Sequence, residues 1–301
     1  MIFDVNKQLN FKPEILNPKP LNFDNVIVGG MGGSALPARA VFYLDPVYPL
    51  WLHNDYRLPK KLEGKPLFVA ISYSGNTAET ISFAKEAREK NLSLVVIISG
   101  GVLKDFAEKE NISHILVPER LEPRDALVYM LKALLLLLGR AELLEELEKV
   151  RIDAESIDKE AEKIADFVSN GETLIYSSQA NSVLGYIWKI FLNESAKMLA
   201  FCNYFPELAH NELESLNGNH RIVLLSDGND NQESKNEMKV FLKLSQESGW
   251  NAREILFDGN WAENFVKNFV LARCVARKIA ESKGVDPDKV PIVEEFKKKL
   301  K

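Results

Sequence analysis

The sequence predicts an α/β fold of two domains, each a parallel sheet flanked by helices and related by internal duplication, on three observations. Short continuous apolar runs, of the kind found in strands buried on both faces, alternate with stretches of amphipathic helical spacing. Turns rich in glycine or hydroxyl residues stand where an apolar run feeds a helix. The halves also repeat one plan: VIVGGMGGS (26–34) answers TLIYSSQAN (173–181), and LFVAISYSGN (67–76) answers RIVLLSDGN (221–229). Strands alternating with helices imply parallel sheets with right-handed crossovers. A length of 301 residues allows two such domains, expected over 1–150 and 151–301 with the boundary near Val150.

In the first half a polar, proline-containing lead precedes a short β-branched strand, Val26 to Val28, which runs into the glycine turn Gly29 to Ser34 and a helix from Ala35 to Tyr43. Tyr48 to Leu52 is a further strand, and the Pro59 to Pro66 loop leads into the central strand Leu67 to Ile71. A helix from Thr80, a strand over Leu92 to Ile98, a helix over Gly101 to Lys109 and a strand over Ile112 to Val117 follow. Glu122-Pro123-Arg124 opens a long helix whose run Val128 to Leu138 is apolar on nearly every face, so it belongs in the interior or at a subunit interface. Glu142 to Lys149 reads as a charged, solvated stretch. In the second half, strands are expected at Glu172 to Ser177, Arg221 to Ser226 and Asn251 to Phe257, with helices over Asn181 to Lys197, Gln232 to Ser248 and Trp261 to Ser282.

Apolar residues make up 46% and charged residues 27%, the composition of an ordinary globular protein. A net charge of −5 offers no broad attraction for nucleic acid or an anionic membrane, and the Lys297 to Lys299 run is too short to change that. The longest pure apolar run, Ala133 to Leu138, is far short of a membrane span, and MIFDVNKQLNFK lacks the basic flank and apolar segment of a targeting signal. A cytoplasmic protein is expected. Cys202 and Cys274 have no CxxC spacing and read as buried free thiols; His53, His114, His210 and His220 have no ligand spacing, so no metal is expected.

The stretch with most chemical content is ISYSGNTAET (71–80). Ser72, Ser74, Thr77 and the amides around Gly75 can converge on one anion, helped by the partial positive charge of the helix N-terminus. The turn holds no basic residue, so the anion would be held by hydroxyls and backbone amides. A simple N-cap is the bland alternative, but a cap needs one hydroxyl where this turn supplies three. Gly30, Gly32 and Ala35 also satisfy GxGxxG/A, with Asp55 where a ribose-binding acid would sit, so a nicotinamide-dependent enzyme is a rival reading. A dinucleotide site has no use for a second anion cradle at the next strand. In the second copy the glycines and the hydroxyl cluster are gone, so only the first half is expected to hold phosphate. The second half carries Asn193-Glu194-Ser195-Ala196-Lys197 at the end of an apolar helix, then Pro206-Glu207-Leu208-Ala209-His210-Asn211-Glu212. Taken by themselves, Glu194 reads as a solvated helix-end carboxylate or, against Trp188, Ile190 and Phe191, as a base in a dry wall; His210 reads as a capping or packed histidine.

SYSGNTAET is similar to the phosphosugar-binding loop of the sugar isomerase (SIS) superfamily, and NESAK and PELAHNE resemble the NENAK and PELNHNE signatures of the bifunctional phosphoglucose/phosphomannose isomerases. The resemblance runs from about Val26 to Lys297. It implies two SIS-type domains and a cofactor-free aldose-ketose isomerase of glucose 6-phosphate, fructose 6-phosphate and mannose 6-phosphate, working as a homodimer. It further implies Glu194 as the base moving a proton between C1 and C2, and His210 as the ring-opening residue supplied by the neighbouring subunit. Arg124 would stabilise the enediolate, Gly32, Gly33 and Ser34 would line the sugar, and Lys297 of the C-terminal helix would reach the ring. Val290 stands where the family carries Thr, and Ala209 where it carries Asn, which implies weaker activity on the mannose epimer. A non-catalytic sugar-phosphate sensor is the remaining alternative.

Overall fold

The computed structural model describes residues 4–61, 63–169 and 171–300; the first three residues of the lead and Leu62 of the Pro59 to Pro66 loop lie outside the described residues. The chain divides into two compact units, Met1–Val150 and Arg151–Lys301.

The first unit runs α1 (Val5–Leu9), β1 (Asn25–Gly29), α2 (Leu36–Leu44), β2 (Leu50–His53), β3 (Pro66–Ser72), α3 (Ala78–Glu89), β4 (Leu94–Ile98), α4 (Gly101–Lys109), β5 (Ser113–Leu116), α5 (Leu127–Leu137) and α6 (Ala141–Lys149). Its strands form one parallel sheet in the order β2-β1-β3-β4-β5. Because successive strand residues face opposite ways, Phe68, Ala70, Val96 and Ile98 pack under Phe83 of α3 and Leu103 of α4. Val69, Ile71, Val95 and Ile97 point to the other face and are equally buried, which is why these strands read as unbroken apolar runs.

The lead is structured where the sequence suggested only a polar approach. Leu16 pairs with His114 on the outer strand β5, and α1 places Gln8, fully buried, at the start of α5. Gln8 Oε1 accepts from the amides of Val128 and Tyr129 (3.1 and 3.3 Å), and its Nε2 donates to the Asp125 carbonyl (2.7 Å). These bonds correct the expected start of the long helix. Residues 123–126 are turns, Ala126 N–H donates to Glu122 O (3.1 Å), and the helix begins at Leu127 with a side chain from far away doing the capping. Lys132, the cation inside the apolar run, is fully buried; its Nζ reaches Leu9 O (2.5 Å) and Glu148 Oε1 (3.0 Å), and burial pulls its pKa down against the pull of that carboxylate.

The second unit runs α7 (Ala154–Val168), β6 (Glu172–Ser178), α8 (Ser182–Glu194), β7 (Ala200–Phe205), β8 (His220–Asp227), α9 (Gln232–Glu247), β9 (Asn251–Phe257), α10 (Trp261–Ser282) and α11 (Pro291–Lys299). Its parallel sheet has the order β7-β6-β8-β9. This repeats the first sheet, with β6 in the place of β1, β8 of β3, β7 of β2 and β9 of β4, and confirms the duplication read from the repeated strings. Tyr176, Phe205, Ile222 and Leu224 pack against Met238 and Phe241 of α9, while Trp188 and Phe191 of α8 are buried with Phe265 and Phe269 of α10.

In the second unit α7 and β7 were not legible and one helix was read too long, as in the first unit the charged stretch Glu142 to Lys149 proves to be the helix α6. The helix expected to reach Lys197 ends at Glu194, where Ala196 N–H turns back to Phe191 O (3.2 Å) and Lys197 adopts a left-handed φ of 51°. The cysteines are free but only half-buried, against the expectation of buried thiols. Among the described residues no helix is long and apolar enough to cross a membrane.

Candidate active site

The hydroxyl turn lies at the C-terminal end of β3, in the middle of the first sheet, where open α/β sheets place their ligands. Thr77 occupies the N-cap position of α3, yet its side chain makes no capping hydrogen bond, so the bland reading of its hydroxyl as an N-cap does not describe it. The first-turn amides therefore face the turn together with the hydroxyls. Ser72 Oγ donates to Thr77 Oγ1 (3.2 Å), which brings two of the hydroxyls together, and Ser74 Oγ accepts from Asn76 N–H (3.3 Å) within the same turn; Ser74 is exposed and Ser72 buried.

The loop after β4 braces this turn. Gly75 has a φ of 66°, and a Cβ there would stand 1.8 Å from Gly100 O, so only glycine fits. Asn76 Oδ1 accepts from Val102 N (3.1 Å) at the start of α4, and Gly75 O accepts from Leu103 N (2.9 Å).

The glycine turn after β1 meets the same place. Ser34 Oγ accepts the backbone N–H of Tyr73 (3.0 Å), tying Gly32-Gly33-Ser34 to the cradle. A Cβ on Gly33 would come within 2.6 Å of Arg124 N, so the glycine turn lies directly against the Pro123-Arg124 backbone. The structure thus gathers Gly32, Gly33, Ser34, Ser72, Ser74, Thr77 and Arg124 in one unit. Arg124 is 1% exposed and lies 3.8 Å from Glu122 Oε2.

In the second unit, Glu194 is half-buried as the last residue of α8, with Trp188 and Phe191 in the core below it. Lys197, named above only as part of the NESAK string, has a structural part of its own. Its Nζ bonds the Glu194 carbonyl and also Lys289 O (2.5 Å), so one ammonium fastens the end of α8 to the residue before Val290. A cation at a helix C-terminus, four residues into NESAK, was the available signal. His210 is exposed at the end of the 3₁₀ turn Glu207–His210 that follows β7. Glu212, two residues on, accepts from Tyr176 Oη (2.7 Å) and Asn203 Nδ2 (2.6 Å), anchoring that segment to β6 and β7. Lys297 lies on α11, every residue of which is exposed. Among the described residues no group of three or more His, Cys, Asp or Glu side chains is placed to hold a metal ion.

Residues 157–300 match the family model of the bacterial phospho-glucose isomerase C-terminal SIS domain. The chain is 32% identical over 291 residues to the bifunctional phosphoglucose/phosphomannose isomerase of Thermoplasma volcanium, covering 92% of each chain. The chain belongs to the bifunctional phosphoglucose/phosphomannose isomerase family. A second relative of that description, from Caldicellulosiruptor bescii, is 33% identical over 250 residues, covering 75% of this chain and 74% of its own. Among solved structures, the C-terminal domain of glucosamine-fructose-6-phosphate aminotransferase from Francisella tularensis superposes with a TM-score of 0.69 at 19% identity, over 88% of this chain and 85% of that one, a likeness of fold. Membership in this isomerase family gives the hydroxyl turn its context: SIS domains are the family's own building block, and this chain has two copies with one such turn.

Proposed function

We propose that this protein is an aldose-ketose isomerase that interconverts glucose 6-phosphate and fructose 6-phosphate, and mannose 6-phosphate more slowly, through an enediolate. The observation that carries the reading is the uncapped, three-hydroxyl turn at the end of β3, set against the Arg124 segment through Gly33, in a chain of this family. Hydroxyls and amides suit a phosphate dianion, since each hydrogen bond to a charged group is stronger than a neutral one. Phosphate at Ser72, Ser74 and Thr77 fixes one end of the substrate.

His210 then assists opening of the sugar ring, and its exposure on a turn supports its serving the site of a second copy of the chain in a homodimer. In the open-chain aldose the Glu194 carboxylate takes the proton from C2, the electron pair moves into a C1–C2 double bond, and the carbonyl oxygen becomes an enediolate. The Arg124 guanidinium offers a fixed charge for that oxygen. Glu194 returns the proton to C1 as the hydroxyl proton on O2 passes to O1, so that C2 becomes the carbonyl carbon of the ketose, with no change of net oxidation state. Lys297 is assigned to the sugar ring and Val290 to discrimination of the C2 epimers. None of these steps calls on a metal or a nicotinamide.

A coupled assay tests the reading: fructose 6-phosphate formed from glucose 6-phosphate, and from mannose 6-phosphate, without added metal or NAD. Turnover of both supports it; sugar-phosphate binding without turnover makes the protein a sensor instead.

A further inference from the structure

Tyr73 stands between two of the cradle serines, but its side chain leaves the cradle. It is 4% exposed, and its hydroxyl donates to Pro118 O (2.8 Å) and accepts from Leu121 N–H (3.0 Å). Its backbone is equally committed: the N–H goes to Ser34 Oγ, and the carbonyl accepts from Ser99 N (3.0 Å) and Ser99 Oγ (2.6 Å). One residue therefore joins the phosphate turn, the glycine turn, the end of β4 and the stretch leading to Arg124. At the far end of that stretch Gln8 takes over, donating to Asp125 O and accepting from Val128 and Tyr129.

We propose that Tyr73 and Gln8 are positioning residues for Arg124: they grip residues 118–128 at both ends and keep Arg124 against the Gly33 turn. This rests on the role assigned to Arg124 above. Phenol chemistry suits the task, because a hydroxyl that must both donate and accept has to stay protonated. Burial pushes the Tyr73 pKa up to about 12, outweighing the Leu121 amide bond that favours the phenolate. The grip matters because Gly33 has no side chain between its own backbone and that of Arg124, so a displacement of the segment moves the Arg124 backbone, the root of its side chain, against the glycine turn. Neither residue carries a recognisable signal in sequence, since Tyr73 reads as one more large residue in a strand-to-helix turn and Gln8 as part of a polar lead.

The test is a double-mutant cycle on glucose 6-phosphate isomerisation. Tyr73→Phe is expected to lower kcat about ten-fold while KM moves less than about two-fold, because the cradle is intact and only the alignment of Arg124 is loosened. In an Arg124→Gln background the same substitution is expected to cost nothing further. A loss of equal size in both backgrounds, or a rise in KM at constant kcat, overturns the proposal. Should Tyr73→Phe not fold, Gln8→Met carries the same cycle from the other end. Hydrogen exchange reads the grip without any activity: Tyr73→Phe is expected to speed exchange of the 118–128 amides several-fold and leave 72–80 unchanged. Unchanged exchange over 118–128 overturns the proposal, whereas Arg124→Gln that turns over at the parent rate removes the role of Arg124 in the proposed function and leaves the grip to that measurement.

Discussion

The C-terminal ends of β1 and β3 in the first unit and of β6 and β8 in the second are the same place in two copies of one fold, and they carry opposite electrostatics. The first end presents Ser72, Ser74, Thr77 and an uncapped helix start. In the second, Asp227 and Asp230 stand where the hydroxyl turn would be, both buried. Asp230 Oδ1 accepts from Ser178 Oγ (2.6 Å) and Asn181 Nδ2 (3.0 Å), and Asp227 Oδ1 from Asn229 N (2.8 Å) and Asn264 Nδ2 (3.3 Å). The donors that could have met a phosphate are spent on the protein's own carboxylates, whose charge would also repel a dianion. Duplication thus kept the scaffold and changed the tenant, leaving the second unit to carry Glu194 and His210 on α8 and the turn after β7.

The comparison breaks most visibly at Glu194. Glu194→Gln keeps the shape but not the base, so kcat is expected to fall by at least about 10²-fold while inorganic phosphate still competes with substrate as before. Near-normal turnover would move the chemistry elsewhere in the second unit. Mixing this variant with His210→Ala should restore activity through hybrid dimers that hold one intact site; no recovery after confirmed subunit exchange removes the shared-site arrangement.

Next in size, Ser74→Ala and Thr77→Val should each weaken sugar-phosphate binding by roughly 1 to 3 kcal/mol, the cost of leaving a charged group one hydrogen bond short. Thermal unfolding should hardly move. Titration calorimetry that finds parent-like affinity in both variants would place the phosphate outside this turn.

Val290 tests whether the second unit sets epimer choice. Val290→Thr should narrow the gap in kcat/KM between glucose 6-phosphate and mannose 6-phosphate by about 0.5 to 1.5 kcal/mol, one hydrogen bond. An unchanged ratio means the preference is set at another residue.

The smallest expected effect sharpens the electrostatic contrast. Burial, followed by the charge of Asp227, raises the pKa of Asp230 despite the Ser178 bond. The folded state therefore holds this proton more tightly than the unfolded chain, so its stabilising contribution is complete below the ordinary carboxylate range and is lost as pH rises through the raised value. At pH 7 the ionised group is a net cost. Asp230→Asn should raise the unfolding midpoint at pH 7 by the equivalent of at most about 1 kcal/mol, an advantage that vanishes toward pH 4. A constant difference across that range would mean Asp230 does not titrate as its surroundings dictate.

The sequence by itself determined the two sheets, their parallel sense, the duplication and the turn after β3, because each rests on local periodicity or on residue types a few positions apart. It singled out Glu194 and His210 as candidates through short strings, but not the true end of α8 or the strand β7. The apolar residues of Ala200–Phe205 are interrupted by Asn203, and they follow so closely on the apolar α8 that no turn of glycine or proline separates the two. What only the tertiary structure decided are the partners far away in sequence: Gln8 capping a helix that begins at Leu127, Tyr73 holding Pro118 and Leu121, Lys197 joining Glu194 to Lys289, and Gly33 lying on Arg124. A hydrogen bond is indifferent to the number of residues between its ends, and no local pattern records which buried amide will find which side chain once the sheets have closed.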